Sequence, residues 1–383
     1  MIVPTDRAAG PVRSGSSAVG DGVVTTLAGV RAPTGRGSSS RTARRSAHPR
    51  WATFLAVCGM GLSACTASTN TGDPSPPTGL SASASAPAAP TSAETDGSFA
   101  VHAVDLAADA PDEASGLLVL PGTAATGVPG RYLTVDDDDG PLELVAVDEA
   151  GAVVGRTRVA DVDAVNPEAL ALGPCPAGTC VYIGDIGFTQ RRTIVVHRLP
   201  LDKVTADGTA AEPARATIPV ESWRFRWPDD AQDAEGMLIE PDGSVLLVDK
   251  PSRKRQAEPT RLYRGPAGGG DLQVLTEFTL PAPTAPLRTL VTGNVVTDAA
   301  ADDRRVLLLT YDQVIEYTDP AGDARSHLAD FPSWPHRNLP LPPSAQAEGI
   351  APTPDGCGYA VVSEAGPSGW DSPVGRLSIS SCP

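Results

Sequence analysis

From Ser98 to Pro383 the chain alternates short Val, Leu and Ile runs with Gly, Pro and Asp breaks. No window carries the 3.6-residue apolar stripe of an amphipathic helix, and turn signals recur about every 8–12 residues, which predicts an all-β fold. One phrase repeats as EASGLLVL (113–120), NPEALALG (166–173), DAEGMLIE (233–240), VTGNVVT (291–297) and QAEGIAPT (346–353). A second apolar strand follows each, as YLTVDD, CVYIGDIG, VLLVDK, VLLLTY and YAVVSE. Third strands follow as LELVAVD, TIVVHRL, TRLYRG, VIEYTD and GRLSIS, and fourth strands in the first four units as VVGRTRVA, ATIPVESWRF, LQVLTEFTL and ARSHLADF. The fifth unit ends after three strands. VHAVDL (101–106), ahead of the first unit, is left to fill the gap, as the first strand of a β-propeller does when it closes the ring. The pattern therefore predicts a propeller of five four-stranded blades over residues 98–383, with six as the alternative because the second unit is long.

The first hundred residues follow no such pattern. Arg41, Arg44, Arg45 and Arg50 precede a fourteen-residue apolar stretch, Trp51–Ala64. That is too short for a bilayer span, which needs roughly 20 residues, and it has the length of a signal-peptide core. It ends in Leu62-Ser63-Ala64-Cys65, which resembles the lipobox of bacterial lipoproteins. The resemblance implies a diacylglyceryl group on Cys65, cleavage before it, and display on the extracytoplasmic face of the cell membrane. Residues 1–64 are thus expected to be an extension plus signal peptide, with translation starting nearer the arginine cluster than Met1. Residues 65–97, rich in Ser, Thr, Ala and Pro, are expected to be a disordered tether.

Charge narrows the partners. The chain carries −16, yet residues 1–50 hold eight Arg against Asp6 and Asp21, so the remainder is more acidic than the total. Nucleic acid, which needs a basic face, is excluded as a partner. A small molecule, a glycan or a protein at the propeller mouth is the expected ligand, and the chain is expected to act as a monomer. Of the six cysteines, Cys58 and Cys65 fall in the targeting segment. The other four form two local groups, predicting Cys175–Cys180 and Cys357–Cys382 disulfides in an oxidising compartment.

The repeats also resemble a bacterial family of secreted propeller proteins related to those labelled "esterase-like activity of phytase". The likeness rests on EASGLL, ELVAVDEAGAVV, NPEALALG, YIGDIG, RRTIVVHRLP, DAEGMLIEPDGSVLLVDK and QAEGIAPTPDG, and covers nearly all of residues 100–383. The chain departs from the family's usual motifs at Asp136–Gly140, at Asn166-Pro167-Glu168 and at Gly187-Phe188-Thr189.

In a propeller the start of each inner strand and the end of the second strand share one rim. That rule gathers Glu168 with Asp185, Glu235 with Asp249 beside Lys250, and Glu348 with Glu364, while Glu113 and Asp136–Asp139 face the same way. Packed carboxylates need a cation, a paired base such as Lys250, Arg191 or Arg192, or protons. Oxygen donors without His or Cys point to Ca²⁺ held by Glu168, Asp185, Glu235, Asp249, Glu348 and Glu364. The competing expectation is that the repeated Glu residues bond backbone at blade junctions. His102, His197, His327 and His336 join no Ser/Asp constellation, and Trp223, Trp227 and Trp334 are expected to pack between blades, with Trp370 exposed. Two functions follow: a ligand- or protein-binding surface module, or a Ca²⁺-dependent phosphoesterase or esterase with Lys250 steadying negative charge.

Overall fold

The computed structural model describes residues 99–120, 131–187, 190–251, 258–286, 289, 292–344, 346–366 and 374–382. All fall in the second of two compact units, Ala86–Pro383. The signal peptide, Cys65, the tether and Trp370 lie outside the described residues.

Five mainly antiparallel sheets stand as blades around an axis. Each begins with an inner strand: Ala114–Val119, Pro167–Cys175, Ala234–Ile239, Val296–Ala301 and Ala347–Pro352 in blades I to V. The second strands are Arg131–Asp136, Gly178–Asp185, Val245–Asp249, Arg305–Thr310 and Tyr359–Ser363. Blade V takes Arg376–Ser381 as its third strand and the N-terminal strand Ala100–Asp105 as its fourth, paired antiparallel from Ala100↔Ser381 to Asp105↔Arg376. That pairing is the predicted ring closure, and the Cys357–Cys382 disulfide ties the chain end within the same blade. Cys175–Cys180 closes the hairpin between the first two strands of blade II.

The long second unit does not make a sixth blade. Its predicted fourth strand divides: Ala214–Ile218 crosses to blade I and adds a parallel fifth strand, whereas Glu221–Arg226 completes blade II. The break falls at Pro219, which lacks the N–H a continuous ladder needs. Blade IV departs from expectation twice. Its inner strand starts at Val296, so the phrase 291–297 contributes only its last two residues, and Ala324–Ser333 is a 3-10 segment rather than a strand. The fourth strand there is His336–Leu339.

One apolar core fills each gap between neighbouring blades. The largest holds Tyr182, Trp223, Phe225, Trp227, Met237 and Tyr263 between blades II and III, and Trp334 packs between III and IV. At the axis the inner strands approach through small residues. A Cβ on Gly116, which sits at φ +60°, would lie 2.8 Å from the Leu170 nitrogen, and one on Gly349 would lie 2.7 Å from the Gly116 carbonyl carbon. Glycine is required at both positions for the ring to close. No helix among the described residues is long and apolar enough to cross a membrane.

Candidate functional site

Every inner strand carries a bulge in its first turn of pairing, as between Ala234 and Gly236 and between Ala347 and Gly349. A bulge re-aims one side chain: the displaced residues are Glu168, Glu235, Thr297 and Glu348, and Ser115, which aligns with them, immediately precedes the shift in blade I. All five are buried. Ser115 donates to the Glu168 carbonyl at 2.8 Å and Thr297 to the Ala347 carbonyl at 2.7 Å, so these two hydroxyls stitch neighbouring inner strands. The three glutamates instead converge at the mouth of the channel.

A second tier sits just past the second strands. Asp137, Lys250 and Glu364 each donate a backbone N–H to the residue two before the bulge position, at 2.9–3.0 Å. Gly187 does the same in blade II at 3.1 Å. A Cβ there would lie 2.5 Å from Glu168 Oε1, so the glycine leaves room for that carboxylate. In blade IV the corresponding residue is Tyr311. Lys250 Nζ donates to Glu235 Oε1 and, at 2.8 Å, to the Tyr311 hydroxyl, which donates in turn to Glu348 Oε1 at 2.7 Å. Asn166 Nδ2 and Ser115 Oγ donate to the two oxygens of Glu168. Glu235 Oε2 and Glu348 Oε2 are buried and have no hydrogen-bond partner among the described residues.

Seven carboxyl groups act on one another here, those of Glu113, Asp137, Glu168, Asp233, Glu235, Glu348 and Glu364, against one ammonium among the described residues. Burial opposes the Lys250 charge, but Glu235, Glu348, Tyr311 and Asp233 outweigh it and hold the ammonium well above the ordinary lysine range. Burial, with help from neighbouring carboxylates, lifts Glu168 to about 8, Glu364 to about 9 and Asp137 to about 11. The same causes raise Glu235 and Glu348 against the pull of Lys250. Tyr311 is also raised, by burial and by Glu348, and stays a neutral phenol. Carboxyl oxygens of Glu113, Asp137 and Asp138 lie within 4.8 Å of one another. Beside them a cavity of about 330 Å³ is lined by Asp109, Asp136, Asp138, Asp139, Glu143 and Arg156. Burial chiefly, then Asp138, lifts Asp136 to about 6.

The residues singled out from sequence thus separate into two sets. Glu168, Glu235, Glu348, Glu364 and Lys250 meet at the mouth. Asp249 stands one position before Lys250, where successive strand residues face opposite ways, and Asp185 holds the matching place in blade II, opposite Pro167 as Asp249 is opposite Ala234. Asp185 accepts the Asn166 N–H at 2.9 Å and pairs with Arg191 at 2.8 Å, and Asp249 accepts the Arg261 N–H at 2.7 Å. Tyr311 was missed, although aligning VLLLTY with VLLVDK places it at the position of Lys250. The pair His197 Nδ1 and Ser222 Oγ, 2.8 Å apart, was also missed. They face each other across two strands of blade II, a proximity that only strand register reveals.

No protein-family model matches this chain, and no curated protein does. Solved structures of similar shape include a gluconolactonase from Xanthomonas campestris, 13% identical over 66% of this chain and 69% of that one, with a TM-score of 0.35. The PQQ-bound aldose sugar dehydrogenase of Streptomyces coelicolor is 13% identical over 74% of this chain and 98% of that one, TM-score 0.39. Virginiamycin B lyase from Staphylococcus aureus is 12% identical over 70% and 83%, TM-score 0.33.

Proposed function

We propose that the protein is an extracytoplasmic binding module, held to the membrane by lipid on Cys65, whose propeller mouth captures a cationic ligand, Ca²⁺ first among them. One observation carries the reading: seven carboxyl groups crowd a mouth that holds a single described ammonium, and two of their buried oxygens have no partner among the described residues. The donors are all oxygen, and the spacing among Glu113, Asp137 and Asp138 suits the six to eight oxygens a Ca²⁺ ion takes. Without a cation, protons neutralise the cluster, so cation binding displaces them. The Lys250–Tyr311–Glu348 chain keeps the lysine charged and the phenol neutral, which equips the site to hold a ligand rather than to act as a base.

Calorimetric titration of the full chain with Ca²⁺, in two buffers of different ionisation enthalpy, tests this. Saturable binding at about millimolar affinity or tighter, with proton release and tighter binding at pH 8 than at pH 6, is the expected result. Absence of binding at both pH values sinks it. A second reading, a Ca²⁺-dependent hydrolase of phosphoesters or esters, is favoured by one feature, the fixed ammonium of Lys250 at the mouth, placed to steady charge on an oxyanion. Bound Ca²⁺ supplies Lewis-acid polarisation in such chemistry. Turnover on a phosphatase and esterase panel, abolished by EDTA and by Lys250→Met, selects this reading, and Ca²⁺ binding without turnover selects the module.

A further inference from the structure

The inner strands all start at the acidic mouth, so their C-terminal halves meet at the opposite end of the channel. There they enclose a second cavity of about 370 Å³. Every blade contributes to its wall, through Leu118, Ala171, Ile239, Ala300 and Pro352, and Leu328 of the 3-10 segment adds to it. Alanines at positions where other blades carry Leu or Ile leave the space open. Among the described residues no aromatic side chain lines it.

The polar side chains at its rim are differently committed. Asp302 is taken by Arg305 at 3.0 Å, and the Thr353 hydroxyl donates to Asp355 at 2.7 Å. Arg325 is paired through one nitrogen alone. Its Nε meets Asp303 at 2.5 Å, both side chains are exposed, and its terminal nitrogens donate to no described group. An apolar hole with a guanidinium at its edge therefore opens in a chain whose net charge is −16.

We propose that this cavity binds one medium-chain aliphatic carboxylate, tail in the channel and headgroup on Arg325. Ligand pockets of this size are mostly apolar with a few fixed polar groups. An apolar cavity of roughly 150 Å³ holds a benzene molecule, so this one accommodates a chain of about ten carbons. The absence of ring-stacking partners favours an aliphatic tail over an aromatic one. Arginine's planar fork matches a carboxylate. The carboxyl cluster at the far mouth repels the same headgroup and fixes the ligand's direction.

The test uses the full chain carrying Cys65→Ser, purified without detergent, and titrates it with decanoate, decanol and decyltrimethylammonium. Saturable binding of one decanoate per chain is expected, with the cationic amphiphile weakest. Ala171→Leu and Ala300→Leu, which fill the cavity, should each weaken decanoate at least about tenfold while the circular dichroism spectrum is unchanged. Arg325→Gln, which gives up one exposed ion pair to Asp303, should weaken decanoate about tenfold and leave decanol as it was. Absent or non-saturable decanoate binding overturns the site, as does binding that both leucine variants leave intact. Equal loss of decanoate and decanol in Arg325→Gln overturns the headgroup assignment. If both leucine variants misfold, the comparison in Arg325→Gln decides. None of these arms depends on Ca²⁺, so the cavity and the acidic mouth succeed or fail separately.

Discussion

Replacing Lys250 by methionine removes the one described cation at the mouth and keeps most of the side-chain stem. Glu235, whose side chain is 6% exposed, then loses its charged partner. An unpaired carboxylate there is costly, so the carboxyl stays protonated. Holding a proton on a group whose ordinary pKa is 4.5 costs about 1.4 kcal/mol for each pH unit above that value. That cost reaches about 4 kcal/mol at pH 7.5 and about 1.4 kcal/mol at pH 5.5, and it is an upper bound on the penalty relative to the natural chain, where burial already raises Glu235 against the pull of Lys250. The higher figure falls within the roughly 3–5 kcal/mol measured when a buried ion pair loses one member. Urea denaturation of the full Cys65→Ser chain, with and without the substitution, reads both numbers. Adding Glu235→Gln to Lys250→Met should flatten the pH dependence, because the group that needs the proton is gone. A penalty below about 1 kcal/mol at pH 7.5, or one equal at both pH values, refutes the account of the cluster.

Four further outcomes follow from the same geometry. The natural chain should itself lose stability as pH rises. Raised carboxyl pKa values mean the folded state retains protons that the unfolded chain releases, so the loss begins near the ordinary value of 4.5 and continues to about 8 and 9 for Glu168 and Glu364. Melting temperatures from pH 5 to 9 should fall, and added Ca²⁺ should lessen the slope. Tyr311→Phe strips the hydroxyl between Lys250 and Glu348 and should cost about 1–3 kcal/mol in urea titrations. Gly116→Ala forces both a left-handed backbone and a 2.8 Å contact, and should destabilise far more than the roughly 1 kcal/mol by which Gly and Ala differ in an unstrained site. The loops closed by the two disulfides span 25 and 5 residues, so Cys357→Ser should cost about 3.5 kcal/mol and Cys175→Ser about 2.

The blade count, the ring closure and both disulfides were legible because they rest on local pattern. Period-two alternation and turn residues mark each strand, and VHAVDL is left over once the strands are counted. What escaped depends on where the chain goes between strands. ATIPVESWRF reads as one strand, but Pro219 divides it and the two halves serve different blades. ARSHLADF stands where the other units place a fourth strand, yet its buried residues Ala324, Leu328 and Phe331 are spaced by four and three and lie on a 3-10 segment. At the mouth, residue type was legible and direction was not. Asp249 and Lys250 are neighbours in sequence, and the pleat sends one into the blade and the other into the channel.

The bulge position settles how far repetition argues for architecture. A residue recurring in every blade is expected to do the same structural work in each, and Ser115 and Thr297 do so by bonding the next inner strand's backbone. Glutamate at the same position in three blades could have served that role, since a carboxylate accepts backbone N–H groups as readily. In blades III and V it does not: Glu235 and Glu348 are instead held by Lys250 and Tyr311, each with one oxygen that has no partner among the described residues. Those glutamates therefore carry a desolvation cost that serine or threonine in the same fold avoids. Nothing in ring closure requires that cost. Two blades close without it, as the proposed role of the glutamates in ligand binding requires.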